Sequence, residues 1–435
     1  MLKELLKKQI NIALLGFGQE NQAFLAWLLE NKKYSNLNIT ICDQKARDNF
    51  KHQKKVNWQT GKNYKKDLDK FTIVFRSPGW PLFCPEIKKA KKAGTIISSP
   101  IQAFFELCPS KNIIGVTGSK GKGTTATLIY TILKNYKKSV FLGGNIGIAP
   151  FSFFNKIKKS DFIVLELSSF QLEDLHKSPK ISVITNLFVD HLSPADPFNP
   201  NYHFNFKKYW QAKLNISKHK ENKYLIVNQN LKEKIKKENL DTRIIFFEKS
   251  SIKSSLVGDY NQENIAAAFK VCDILKVPKK IIIKSIENFK NLEHRLELVK
   301  IKNKVSYYNN SFSTNPDSTI LDLKSFSSSI ILIAGGADKG ANFKKLAKEI
   351  KNKVKYVILL PGKSSPRIKK ELLKTKYSKK QIKLSSSMEE AVKKAKELAN
   401  VDDIVLLSTA CASFGIFKNY KQRGNEFKKY VKKIK

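Results

Sequence analysis

The chain has 435 residues, 41% of them hydrophobic, which suits two to four folded domains and excludes a disordered chain. No apolar run approaches the ~20 residues that cross a bilayer, and five scattered cysteines without a C-x-x-C pair exclude a disulfide framework or a cysteine zinc site. The net charge of +44 invites a nucleic-acid reading, but only six of the 81 basic residues are arginine and the lysines are dispersed, so the charge is expected to favour small anions instead.

In chain order, "MLKELLKKQINIALLGFG" is basic and then apolar, like a secretion signal. Its apolar part is short and runs into Gly-Phe-Gly, so it reads as a buried first strand of a cytoplasmic protein. "QAFLAWLLEN" follows as a helix. "NLNITICDQ", "FTIVFRSPGWP" and "AGTIISSP" read as strands, closing a first unit near Pro109. The second unit opens with "NIIGVTGSKGKGTTATLIYTILKNY", a strand, a glycine loop and a helix. "SVFLGGNIG", "DFIVLELSSFQL", "ISVITNLFVDHL", "YLIVNQ" and "RIIFFE" supply strands, and "NQENIAAAFKVCDIL" and "PKKIIIKSIENF" helices, up to a break near Glu297. The third unit repeats the alternation in "KVSYYNNSFSTNPDS", "SIILIAGGADKG", "VKYVILLPGK" and "DDIVLLSTACASFG". Strands alternating with helices predict three α/β domains with parallel sheets and ligand loops at the strands' C-terminal ends.

The loop from Gly115 to Thr125 has the ingredients of a phosphate cradle. Gly115, Gly118 and Gly121 let the backbone curl, Lys122 carries the charge, and the following helix presents its N-terminus. It departs twice from G-x-x-x-x-G-K-S/T: Val116 stands for the first glycine, and Gly123 for the hydroxyl residue, with Thr124 next. "GFGQEN" (Gly16 to Asn21) is a weaker nucleotide-diphosphate signal, with Asp43 near the spacing of a ribose-binding acid.

"GVTGSKGKGTT", "GGNIG", "LELSSFQLE", "DH", "QAK", "HRLE" and "LLSTACASFGIFKNYKQRGNEF", in this order, resemble the Mur ligase family, and "ELSSFQLE" and the last stretch most resemble its D-glutamate-adding branch. The resemblance implies three α/β domains. They are a Rossmann-like UDP-substrate domain (1–109), a central P-loop, ATP-binding domain (110–297) and a Rossmann-like amino-acid domain (298–435). It implies transfer of ATP's γ-phosphoryl to the carboxylate of UDP-N-acetylmuramoyl-L-alanine, attack by D-glutamate, and release of ADP and phosphate. The setting would be cytoplasmic peptidoglycan synthesis, serving cell shape and division. The protein would be a monomer with no nucleic-acid or membrane partner.

By the same resemblance, Gly118, Ser119, Lys120, Gly121, Lys122, Gly123 and Thr124 would bind ATP, with Asn261, Asn264 and Arg295. Lys122, Glu166, His191 and Lys213 would be catalytic. Thr124, Glu166, His191 and Lys213, the last as a CO₂-derived carbamate, would hold Mg²⁺. Asp190 would orient that site. Gly16, Phe17, Gly18, Gln19, Asp43, Ser77, Pro78, Gly79, Asn145, Ser168 and Gln171 would bind the UDP substrate. Thr314, Lys339, Ser413 and Tyr420 would bind the amino acid. The family's D-S-K loop reads "NNSF" here, so Asn310 replaces an acid and Phe312 a lysine, and Gly415 stands where an acid is common. The alternatives are a sister Mur or folylpolyglutamate-type ligase with another amino acid, a degenerate nucleotide-binding homologue, or a nucleotide-binding protein acting on nucleic acid.

Overall fold

The computed structural model describes residues 2–45, 55–192, 200–338, 340–414 and 416–434. Lys339 and Gly415 lie outside the described residues. Two compact units emerge: Met1–Ser250 with Glu263–Ile286, and Ser251–Gln262 with Glu287–Lys435. Among the described residues no helix is long and apolar enough to cross a membrane.

The first unit holds two parallel sheets. One has the order β3-β2-β1-β4-β5, from β1 (Asn11–Leu15), β2 (Asn38–Cys42), β3 (Asn57–Gln59), β4 (Ile73–Arg76) and β5 (Ile96–Ser98). The other has the order β11-β10-β9-β6-β8-β7, from β6 (Asn112–Thr117), β7 (Val140–Gly144), β8 (Phe162–Glu166), β9 (Ile181–Ile184), β10 (Tyr224–Asn228) and β11 (Arg243–Phe247). In the first sheet chain order reverses between β1 and β4; in the second it reverses at β6. Loops after such strands diverge and leave a crevice. The turn at Gly16 and the loop at Gly118 occupy these two places.

The second unit contains β12 (Glu297–Lys302), β13 (Val305–Asn309), β14 (Ile330–Ala334), β15 (Val354–Leu359), β16 (Ile382–Leu384) and β17 (Ile404–Leu407), in the order β12-β13-β17-β14-β15-β16. Only β12 runs antiparallel to its neighbour.

Apolar runs without polar alternation become central strands because both sheet faces are covered. In β14, Ile330, Leu332 and Ala334 pack on one side and Ile331 and Ile333 on the other. In β1, Ile12 and Leu14 face one core and Ala13 and Leu15 another. Where the two sheets of the first unit meet, Phe24 packs against Phe151 at 4.7 Å between ring centroids, and Phe104 against Phe154 at 5.7 Å. Such pairs add ~0.5–1.5 kcal/mol beyond area burial. They fix the turn at Gly16 relative to the loop after β7.

β3, β12 and β16 were not among the strands expected from sequence. β3 and β16 have three residues each, and β12 (ELVKIK) is a lysine-bearing edge strand whose burial never becomes complete.

Candidate active site

The loop between β6 and the helix Lys122–Asn135 is shaped by Gly121, the helix N-cap, at φ +81°. A Cβ there would collide with Asn264 Oδ1, which accepts from Thr125 Oγ1 at 3.2 Å. The loop is braced from the segment after β9. Ser119 N donates to Asn186 O (3.0 Å), Lys120 N to Asn186 Oδ1 (2.8 Å), and Thr185 Oγ1 to Lys120 O (2.5 Å). Ser119 Oγ also meets Tyr209 OH at 2.9 Å. Two N–H groups expected to face an anion are thus turned inward. The helix N-terminus at Lys122, Gly123 and Thr124 carries the remaining donors, because the first turn of a helix has no intrahelical acceptors for them.

The carbonyl of Gly118 collects two amines. Lys122 Nζ donates to it at 3.0 Å and Lys213 Nζ at 2.8 Å. Lys213 sits on the helix Phe206–Leu214, 1% exposed, with its amine 4.5 Å from the centroid of the Tyr209 ring. Burial, and then the charge of Lys122, push its pKa well below the usual lysine range, against the pull of Asp190 and Glu166. Lys122, Glu166 and Asp190 therefore each lie within electrostatic reach of Lys213.

Glu166 ends β8 and is 2% exposed. Its Oε1 accepts from Asn145 Nδ2 at 2.8 Å, while its Oε2 is buried without a hydrogen-bond partner. Asn145 is itself held by its N–H to Glu166 O at 2.8 Å. Thr124 is nearly buried in the first turn after the loop. His191 takes a positive φ of +57°, with its Nε2 3.7 Å from Asp190 Oδ2 and its ring 5.0 Å from that of Phe170. Among the described residues no group of three or more His, Cys, Asp or Glu is arranged to hold a metal ion. His203 went unnoticed in the sequence. It stacks on Phe170 at 4.8 Å, meets Ser169 Oγ at 2.9 Å, and burial lowers its pKa to about 4, so it is neutral at pH 7.

A cavity of 270 Å³ is lined by Gly18, Gln19, Glu20, Ser77, Pro78, Gly79, Gly144, Asn145, Gly147 and Ala149. Six of the residues assigned from sequence to the UDP substrate are in this lining. Of the others, Asp43 Oδ2 accepts from Phe17 N at 2.5 Å and so braces the Gly16 turn. Ser168 and Gln171 form a capping box on the helix Ser169–Leu172. Gln171 then reaches across to Glu20. Beneath lies Arg76, 1% exposed on its side chain. Its Nε donates to Asp174 Oδ2 at 2.8 Å and its other nitrogens to Trp80 O and Phe170 O.

In the second unit, Arg423 organises two loops after strands. It is 1% exposed and donates from Nε to Ser311 Oγ (3.0 Å), from Nη2 to Ser311 O (2.8 Å) and from Nη1 to Cys411 O (3.0 Å). Burial lowers its pKa to about 10, and it remains charged at pH 7. Tyr420 O accepts from Ser311 Oγ at 2.7 Å. Arg295 lies over the Phe312 ring at 3.7 Å, and the Tyr420 ring meets Phe312 edge-on at 5.0 Å. Asn310 donates to buried Asp322 at 2.6 Å. Asn261 donates to Val257 O at 2.7 Å and belongs to this unit, whereas Asn264 belongs to the first. Ser413 is buried after β17, and Thr314 is half-buried after β13.

Residues 116–250 match the Mur ligase middle domain, and residues 294–411 the Mur ligase glutamate ligase domain. The chain is 35% identical to the UDP-N-acetylmuramoylalanine–D-glutamate ligase of Clostridium tetani, over 97% of this chain and 96% of that one. It is 36% identical to the enzyme of the same name from Acetivibrio thermocellus, over 98% and 97%. Its fold is similar to the crystal structure of the UDP-N-acetylmuramate-alanine ligase MurC from Thermotoga maritima, at a TM-score of 0.58 and 17% identity over 98% of this chain and 100% of that one. It is equally similar (TM-score 0.58) to MurF ligase from the same organism in complex with ADP, at 16% identity over 98% and 99%. The chain belongs to the Mur ligase family, whose members form amide bonds at the expense of ATP.

Proposed function

We infer that this chain adds D-glutamate to UDP-N-acetylmuramoyl-L-alanine in cytoplasmic peptidoglycan precursor synthesis, acting as a monomer without nucleic acid. The observation that carries the chemistry is the convergence of Lys122 and Lys213 on the Gly118 carbonyl, with Lys213 within electrostatic reach of Glu166. A carboxylate does not react with an amine until it is activated. Phosphoryl transfer to it gathers negative charge, and catalysis consists of positioning and neutralising that charge. Lys122 swings from the Gly118 carbonyl to the transferred phosphoryl group, and the helix N-terminus behind it binds the adjoining phosphates. D-Glutamate then attacks the acyl phosphate, and phosphate leaves.

The partnerless, buried Oε2 of Glu166 is a hard oxygen donor that fits a divalent cation. Glu166, His191, Thr124 and a modified Lys213 would hold Mg²⁺, which when bound screens the phosphate oxygens. Burial of Lys213 favours its neutral amine, whose lone pair can attack CO₂. The nitrogen–carbon bond forms, a proton leaves to solvent, and the carbamate carries the negative charge that a metal site requires. In this reading residues 1–109 hold the UDP group, 110–297 hold ATP, and 298–435 hold D-glutamate through Thr314, Lys339, Ser413 and Tyr420. Arg295 and Asn261 contact the nucleotide.

The test is phosphate release from purified protein with ATP, Mg²⁺, UDP-N-acetylmuramoyl-L-alanine and a panel of amino acids. Release that depends on D-glutamate is expected. Release with another amino acid alone would make this a sister ligase. Nucleotide binding without turnover on any of them would mark a degenerate homologue.

A further inference from the structure

Glu20 has no part in the reading above, yet it stands on the wall of the 270 Å³ cavity, in the first turn of the helix Gln19–Glu30. Its Oε1 accepts from Gln171 Nε2, and Gln171 is locked in turn because its own Oε1 accepts from Ser168 N at 2.7 Å. Its Oε2 is shielded from solvent and has no hydrogen-bond partner. The charged groups that face the carboxyl are Arg76, which attracts it, and Asp174, which repels it. Arg76 is already committed. Its Nε pairs with Asp174 at 2.8 Å, and Glu173 stands 3.7 Å from Nη2. Glu20 thus lacks a cation of its own, and a buried carboxylate in that position is destabilised. Desolvation raises its pKa to about 7.

A negative charge here also conflicts with the expected ligand. The cavity lies at the sheet's reversal point, beside a helix N-terminus, where a diphosphate binds. A carboxylate would repel it, whereas a carboxylic acid is neutral and carries one O–H donor. We propose that Glu20 binds the UDP-linked substrate as a neutral carboxylic acid: a turn of its side chain brings the shielded Oε2 to the cavity, where its hydroxyl donates a hydrogen bond to an oxygen of the ligand. This rests on the reading that the cavity receives the UDP substrate.

Binding then requires the proton. Substrate affinity holds below the pKa of Glu20 and falls as pH rises through it, approaching tenfold per pH unit at the limit. The diphosphate and alanyl carboxylate of the substrate stay ionised throughout and add no slope. The experiment is calorimetric titration of UDP-N-acetylmuramoyl-L-alanine into the full-length protein from pH 6 to 8.5, for wild type, Glu20→Gln and Glu20→Ala. Each variant's folding is checked by thermal melting. Wild type should lose about tenfold or more in affinity across the range. Glu20→Gln, neutral at every pH and still a donor, should give a flat profile. Glu20→Ala should also be flat but about 2–10-fold weaker than Glu20→Gln, the worth of one neutral hydrogen bond. Wild-type affinity independent of pH would overturn the proposal by itself, whatever the variants do, as would a Glu20→Gln slope equal to that of wild type. Failure of the wild type to bind the UDP substrate at pH 6 would instead sink the reading of the cavity on which the proposal stands.

Discussion

Gly121→Ala separates the two constraints at the loop. The residue lies at φ +81°, where an L side chain costs ~1–2 kcal/mol. Its Cβ would also collide with Asn264 Oδ1 and displace the acceptor of the buried Thr125 hydroxyl. Losing that hydrogen bond and leaving a buried group unsatisfied costs a further ~1–3 kcal/mol. Gly61 is the control: it has φ +73° with nothing within 4 Å of an added Cβ, so Gly61→Ala carries only the backbone term. The expected destabilisation is therefore about 2–5 kcal/mol for Gly121→Ala and ~1–2 for Gly61→Ala. For a unit of this size that lowers Tm by roughly 4–10 °C and 2–4 °C respectively. Only Gly121→Ala should also weaken ADP binding. Truncating the obstacle, in Gly121→Ala/Asn264→Ala, should cost less than the sum of the single changes. Denaturant melts and nucleotide titration decide the matter. Equal losses in the two alanine variants, with ADP affinity intact, would refute the claim that Asn264 shapes the loop.

Lys213→Ala should abolish phosphate release while leaving the fold intact, and wild-type activity should fall in CO₂-depleted buffer and return with bicarbonate. Phe312→Ala removes the ring under Arg295, a contact worth ~0.5–1 kcal/mol, so the KM for ATP should rise about 2–5-fold with kcat little changed. Phe312→Tyr should restore it. Arg423→Met leaves Ser311 O buried without its donor, while Cys411 O keeps Thr409 Oγ1 at 3.0 Å, and should destabilise the second unit by ~2–4 kcal/mol in denaturant melts.

The central strands were legible because an unbroken run such as Ile330–Ala334 can only be a strand covered on both faces or a buried helix, and the glycines after it decide for the strand. The glycine loop was legible for a related reason: strand, glycines and helix follow one another directly from Asn112 to Asn135. Glu20, Arg76, His203 and Arg423 were not. Their roles depend on partners far away in the chain, 98 residues for Arg76 and Asp174, 112 for Arg423 and Ser311, and 151 for Glu20 and Gln171. No period or motif encodes such a meeting; only the folded sheets bring it about. The inward turn of Ser119 and Lys120 was equally hidden, since their acceptor, Asn186, is supplied by a different strand end.

Asn186, Thr185 and Tyr209 stitch the glycine loop to the end of β9 and to the helix that carries Lys213. Three stretches distant in sequence therefore respond to damage as a single body. A change on the helix, even one that never touches a phosphate, will register as lost nucleotide affinity, and a scan for nucleotide-binding residues by mutation alone will overcount them along Phe206–Leu214.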